Sequence, residues 1–492
     1  MRHPTSKLLI KLAAGLLGLV VIHSPSVARQ AYPHTSESAQ VDKLFEEWDR
    51  KGSPGASVGI FKDGRIIYAR GYGMANLEYD IPNTPETVFR IGSTSKHFTA
   101  MCIALLIEQG KISIDDDIRL YLPEIAEYQS PIRIRHLLHH TSGIRNYEAL
   151  MMLAGRDGET YNVPYYTDED AVQMIARQRA LNFNPGERYS YSNSNYFLLA
   201  EVIGKVSGTK TSEFARAQIF QPLGMSATHF HDDINVIVRN RASGYSPDTN
   251  GGFRINMTQL EQIGTGSIYT TIEDFYKWDQ NFYNNVLGKG SQDLIGMVET
   301  SGTLNNGDST NYGFGLNITP FYGLRSIGHG GSFVGFRSYY LRFPDQQFSV
   351  VVLANQGPFP DYEIARDIAL IYLRDQITEP IDMEQSTYRD DDEQAVMQVS
   401  AISLSDVQRS AFVGEYFSPE LQAYYRLFDD SGFVVLQVGR YYSAAISPLE
   451  NDVFNWTHGT LEFQRDENNE ISGFLLQSES IRDIEFTKVA PK

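Results

Sequence analysis

Two strand-like segments 287 residues apart (348 − 61) constrain this chain most, because neither can bury its apolar face alone. Ala56–Phe61 and Arg65–Arg70 flank an Asp63-Gly64 turn, the strand, D-G turn, strand pattern of a hairpin. Far downstream, Arg337–Phe343 passes through Pro344-Asp345 into Phe348–Ala354, a Val-rich run suited to a buried central strand. Helical spacing dominates between them. Lys96–Gln109 repeats apolar residues at Phe98, Met101, Cys102, Leu105 and Leu106 and stops at Gly110. The period returns over Tyr196–Lys205, and Asp361–Ile377 reads as a closing helix. Strands at both ends of a domain with helices between them predict one sheet with a helical insert, an α/β (α+β type) arrangement.

Glu379–Gln398 is acidic and lacks steady periodicity, so 379–403 reads as a linker between a body, 41–378, and a tail, 404–490. The tail offers short strands at Tyr424–Leu427, Phe433–Val438, Leu461–Gln464, Gly473–Gln477 and Ile484–Val489, the pattern of a small all-β barrel or sandwich. At the other end, Arg2, Lys7 and Lys11 precede the apolar run Leu12–Ile22 and then Ser24-Pro-Ser-Val-Ala28. That is the form of a secretory signal, expected to be cut after Ala28. The apolar run is too short for a spanning helix and no cysteine near the cut offers a lipid site, so an exported protein, periplasmic or secreted, without a stable membrane anchor is expected. A net charge of −18 without a Lys/Arg-rich run gives a nucleic-acid partner no electrostatic footprint. Cys102, the single cysteine, sits inside an apolar helix run and reads as core.

Three elements carry chemistry. In Phe89-Arg-Ile-Gly-Ser-Thr-Ser-Lys96, Ser93 opens a helix and Lys96 lies one turn on, which brings an amine beside a hydroxyl that needs a base. Spacing alone is not decisive, since Ser207-Gly-Thr-Lys210 also matches; there, however, Ser207-Gly208 reads as a helix end. Tyr191-Ser-Asn193 supplies a phenol for proton transfer and an amide for a substrate carbonyl, although Tyr283-Asn-Asn285 repeats the spacing. Gly328-His-Gly-Gly-Ser332 lies between strand-like segments, where Gly330 and Gly331 let a substrate follow the strand edge and a backbone N–H can complete an oxyanion hole.

In this order the three elements resemble the serine β-lactamase and penicillin-binding protein superfamily, in particular the class C β-lactamase-related hydrolases that include esterases, D-aminopeptidases and DD-carboxypeptidases. The likeness runs from Val41 to Ile377 and includes Leu137-Leu-His-His-Thr-Ser-Gly-Ile144, Gly264–Thr271 with Asp274 and Trp278, and Tyr312-Gly-Phe-Gly-Leu316. It implies an antiparallel sheet flanked by helices. It also implies that Ser93 is the acylated nucleophile, that Lys96 and Tyr191 share base and acid work, and that Asn193 binds the substrate amide. His329 and Gly331 would line the substrate edge, and the N–H groups of Ser93 and Ser332 would hold the oxyanion. No metal or organic cofactor is called for, and the expected substrate is a small ester, peptide or peptidoglycan-like molecule. Many relatives carry lysine where this chain has His329, a residue mostly neutral at pH 7. The resemblance is therefore closer to the esterase and D-aminopeptidase branch, with β-lactam hydrolysis expected as a side activity.

Two alternatives compete. His136, His139 and His140, or His229, His231 and Asp232, have ligand-type residues for a metal hydrolase, but neither set has further ligands in register. A penicillin-binding DD-peptidase or a slowly deacylating sensor would share Ser93, Lys96 and Tyr191. The acidic runs Asp115–Asp117 and Asp390–Glu393 lack the spaced ligands and glycine of a calcium loop. Tyr424, Tyr425, Tyr441, Tyr442 and Trp456 in the tail read as core and surface aromatics rather than a ligand platform.

Overall fold

A computed structural model of the chain describes residues 35–156, 166–380, 404–439, 442–450, 452–478 and 480–490. The expected signal segment, most of the expected linker and Tyr441 lie outside these residues. Helix α1 (Ser36–Leu44) is capped by Thr35 and leads to β1 (Ala56–Lys62) and β2 (Arg65–Tyr72). Asp63 and Gly64 both have positive φ, 49° and 69°, as a two-residue primed turn requires. The middle of the chain contributes α2 (Lys96–Glu108), α3 (Tyr147–Leu153), α4 (Asn193–Ser207) and α5 (Ile272–Asn281). Strands β3 (Asn317–Phe321), β4 (Leu324–Phe333), β5 (Phe336–Phe343) and β6 (Phe348–Ala354) follow, then α6 (Asp361–Leu373).

The two distant segments meet. The sheet order is β3-β4-β5-β6-β1-β2, antiparallel throughout, with Ala354 opposite both Ala56 and Arg337. All of β6 is buried, and its period of two divides it between two cores. Val350, Val352 and Ala354 pack with Val41, Ile364 and Ile368 from α1 and α6, whereas Val351 and Leu353 join Phe98, Phe275 and Trp278 from α2 and α5. Each buried valine contributes about 1.5–3 kcal/mol. Helix α2 is buried from Lys96 to Leu106, so it is a core helix, apolar on every side, that carries Lys96 into the interior. Cys102 lies within it, and burial pushes its thiol up.

Among the described residues the tail forms a closed antiparallel barrel of eight strands between Gly414 and Val489, which leaves no open sheet edge among them. Its interior is filled by Tyr416, Tyr425, Trp456, Phe463, Phe474 and Phe486, and Phe412 of the preceding helix Asp406–Phe412 plugs one region against Phe454 and Phe463. Tyr425 and Trp456 are therefore core residues, while Tyr424 faces solvent. Strands Gly414–Ser418, Tyr442–Glu450 and Val453–Trp456 add to those read from the sequence.

Candidate active site

Ser93 sits in a single 3₁₀ turn, Gly92–Ser95, and the α-helix proper begins at Lys96. In such a turn positions i and i+3 eclipse, which brings Lys96 Nζ to 3.0 Å from Ser93 Oγ. The same amine donates to Thr265 O at 3.0 Å and lies over the ring faces of Tyr191 and Tyr196, 4.9 and 5.8 Å from their centroids. The turn is tied to the sheet: Thr94 Oγ1 donates to His329 O, and Ser338 Oγ donates to Ile91 O at 2.8 Å. Ser95 Oγ accepts the Ile268 N–H from the other side.

Strand β4 lies against this turn. A Cβ on Gly92, whose φ is 48°, would lie 3.0 Å from Ser332 N, and one on Gly331 would lie 2.0 Å from Ile91 O. Only glycine permits this approach, and it sets the backbone of Ser332 beside the start of the Ser93 turn. His329, one turn of the pleat away, is buried. Its Nδ1 lies 2.6 Å from Gly330 O, an acceptor, so Nδ1 carries the proton and Nε2 accepts from Tyr312 Oη at 2.9 Å. Burial, with Lys96 nearby, pushes His329 down to about 3, so it is neutral at pH 7.

Tyr191 and Asn193 flank Ser192, the N-cap of α4. The Tyr191 ring is packed 4.3 Å from that of His140, which occupies the left-handed region at φ 53°. His140 Nδ1 accepts the Ser192 N–H at 3.2 Å and faces Asn195 Nδ2 at 3.0 Å, and burial holds the ring well below the ordinary histidine range. Its neighbours have other tasks: His136 Nδ1 accepts the Arg133 N–H, and His139 Nδ1 pairs with Tyr312 O. His229 and His231 are 3.3 Å apart at Nε2 and Nδ1. Among the described residues no group of three or more His, Cys, Asp or Glu side chains is arranged to hold a metal ion.

One residue of the cleft escaped the sequence reading. Asn193 Nδ2 donates to Glu148 Oε2 at 2.7 Å, while Asn193 Oδ1 is buried without a protein partner. Glu148 belongs to the first turn of α3, placed there by the Asn146 N-cap. Burial raises its carboxyl above the usual range, against the opposing influence of Lys96 and the Asn193 bond. The available signal was Asn146-Tyr-Glu148, directly after the His140-Thr-Ser-Gly stretch. The duplicate motifs fall away from the cleft. Ser207 closes α4 before Gly208 (φ 71°), Lys210 is 70% exposed, and Asn285 bonds the backbone of Leu287 and Ser291.

The model of the beta-lactamase family matches residues 41–373. A D-aminopeptidase of Gluconobacter oxydans is 31% identical over 61% of this chain, and the chain spans 56% of that relative's length. A penicillin-binding protein of Bacillus subtilis is 30% identical over 65% of this chain and 72% of its own. The octameric penicillin-binding protein homologue from Pyrococcus abyssi superposes with a TM-score of 0.61 at 26% identity, covering 92% of this chain and 98% of that one. With Ser93, Lys96, Tyr191 and the glycine-lined strand β4 gathered at one site, and a family match from residue 41 to residue 373, the chain belongs to the beta-lactamase family.

Proposed function

We propose that the protein is an exported serine hydrolase that acts through an acyl-Ser93 intermediate on amides, peptides or esters whose acyl part is a D-residue with a free amino group. The observation that carries this reading is an acceptor pair at the start of α4, within electrostatic reach of Lys96: the Glu148 carboxylate and the unpartnered Oδ1 of Asn193. Two acceptors side by side in a part-buried position match a donor-only cation, and an ammonium on the acyl part has that chemistry. Neutral His329 supplies no cation for a substrate carboxylate, which favours an amine-bearing substrate over a β-lactam and leaves β-lactam hydrolysis a side activity. The relatives named D-aminopeptidase support the D-residue.

The 3.0 Å contact between Lys96 Nζ and Ser93 Oγ supports an acyl-transfer mechanism for this reading. Ser93 Oγ attacks the carbonyl carbon while its proton passes along the 3.0 Å contact to Lys96 Nζ. The oxyanion is held by the backbone N–H groups of Ser93 and Ser332. The amine or alcohol departs with a proton delivered from Lys96 by way of Tyr191, and water then attacks the acyl-serine, giving its proton back along the same route. The free D-acid leaves and Ser93 is regenerated.

The test compares a D-alanyl amide with its N-acetyl derivative, using wild type and Glu148→Gln. The expected result is a preference of about a hundredfold or more in kcat/KM for the free amine in wild type, collapsing in Glu148→Gln, in line with the cost of losing a buried charge-assisted bond. Equal turnover of both substrates by wild type overturns the reading.

A further inference from the structure

The C-terminal barrel grips the segment that carries Glu148. Arg145, two residues before the α3 helix, has a side chain 1% exposed, and its Nη1 donates to Glu420 Oε1 of the barrel at 2.8 Å, where the carboxylate is 4% exposed. The Nη2 of Arg145 donates to Arg482 O at 2.5 Å, at the start of the last barrel strand, Ile481–Val489. At the far end of α3 the Leu153 carbonyl accepts from Tyr425 Oη of the barrel wall at 2.7 Å. Glu420 Oε1 also accepts the Arg179 N–H at 2.7 Å, and Asn182 donates to Ser480 O and accepts the Arg482 N–H at the entry to the same strand. The segment Arg145–Leu153 is thus fastened to the barrel at both its ends.

The same segment is fastened to the start of α4. Ser194 Oγ donates to Arg145 O at 2.7 Å and accepts the Tyr147 N–H at 2.8 Å, one residue from Asn193 and one from Glu148. A hydrophobic contact would join two domains at a lower desolvation cost than a buried ion pair, and what an ion pair adds is a fixed register. Here that register runs from Glu420 through Arg145 and Ser194 to the Asn193–Glu148 pair.

We infer that Arg145 and Glu420 are positioning residues through which the barrel sets the substrate-amine subsite, so that the barrel is part of the specificity apparatus of the cleft. This rests on the assignment of Glu148 to the substrate amine. The mechanism of acylation at Ser93 does not depend on it, because Lys96, Tyr191 and strand β4 are held by other contacts.

Full-length Glu420→Gln and Tyr425→Phe are the test variants, with Arg145→Lys as the conservative one and Glu148→Gln as reference. Two substrates are compared, D-alanine p-nitroanilide and p-nitrophenyl acetate, together with the rate of fluorophosphonate labelling. For Glu420→Gln the expected result is a KM for the anilide raised about tenfold, less than the roughly hundredfold of a full 1 Å misplacement. Its ester turnover and labelling rate stay within about twofold of wild type, because the nucleophile is untouched. Tyr425→Phe, which keeps the ion pair, shifts the same KM in the same direction by less, and Arg145→Lys, which keeps a cation opposite Glu420, shifts it less than Glu420→Gln does. If anilide and ester fall together, or the anilide KM does not move in either a folded Glu420→Gln or Tyr425→Phe protein, the barrel is only a structural neighbour and the inference is overturned. If Glu148→Gln itself leaves the anilide unaffected, the amine subsite fails first, and the positioning claim with it.

Discussion

Gly331→Ala isolates the contact between strand β4 and the nucleophile turn. A methyl at position 331 would stand 2.0 Å from Ile91 O, 2.5 Å from Ser338 Oγ and 2.9 Å from Thr94 Oγ1. Ordinary contact begins at 3.4 Å, so the strand and the turn must part by about 1.4 Å (3.4 − 2.0). The backbone obstacle cannot rotate away as a side chain can. Under the proposed mechanism that displacement carries Ser332 N off the oxyanion, and losing one such donor costs 10²–10³ in kcat, about 2.7–4 kcal/mol of transition-state stabilisation. Steady-state turnover of a p-nitrophenyl ester reads the loss, and a thermal melt separates it from unfolding. Gly296→Ala is the control, since a Cβ there meets nothing within 4 Å in the helix Gln292–Val298; it should keep full activity and gain a few tenths to 1 kcal/mol of stability. A folded Gly331→Ala enzyme with kcat within about threefold of wild type would refute the oxyanion assignment.

Two titration effects follow from buried carboxyls. Burial first, then neighbouring Asp168, pushes Glu201 up to about 7 from 4.5, so its ionisation burdens the fold as pH rises through that window and fully above it. Glu201→Gln should therefore stabilise the protein by up to about 3 kcal/mol at pH 8 and by nothing near pH 4.5, measured by urea unfolding; equal effects at both pH values would contradict the assignment. If Glu148, also raised by burial, holds the substrate ammonium as proposed, it loses that hold when protonated, so the ratio of amine-substrate to ester kcat/KM should fall as pH is lowered, and Glu148→Gln should flatten that ratio.

The sheet was legible because its grammar is local. The Asp63-Gly64 turn and the Val-rich run at 348–354 each specify a strand by their own residues, and a fully apolar strand leaves few places except the centre of a sheet. Ser93, Lys96, Tyr191 and Gly331 are singled out by motif order rather than spacing, as the stray matches at Ser207 and Tyr283 demonstrate, and the fold brings them together. Glu148 was not legible, since Asn-x-Glu at a helix start reads as a cap with an acidic first turn. Its place beside Asn193 comes from Ser194 bridging two segments 47 residues apart. The barrel strand Tyr442–Glu450 was missed because it contains Pro448 and only one buried residue, Ile446, so alternation is weak. The interdomain pair Arg145–Glu420 spans 275 residues and leaves no periodic trace at all.

The central claim is that Ser93 forms the acyl-enzyme, and intact-mass spectrometry of wild type and Ser93→Ala tests it most directly. Both proteins are exposed to a fluorophosphonate, a fluorescent penicillin and a short p-nitrophenyl ester while turnover is followed. A stoichiometric fluorophosphonate adduct on wild type that is absent from Ser93→Ala, with ester turnover lost in the same variant, is the predicted result. A penicilloyl adduct that persists without turnover would place the protein with penicillin-binding sensors instead. A folded wild-type protein that takes no adduct from any probe would contradict the serine mechanism.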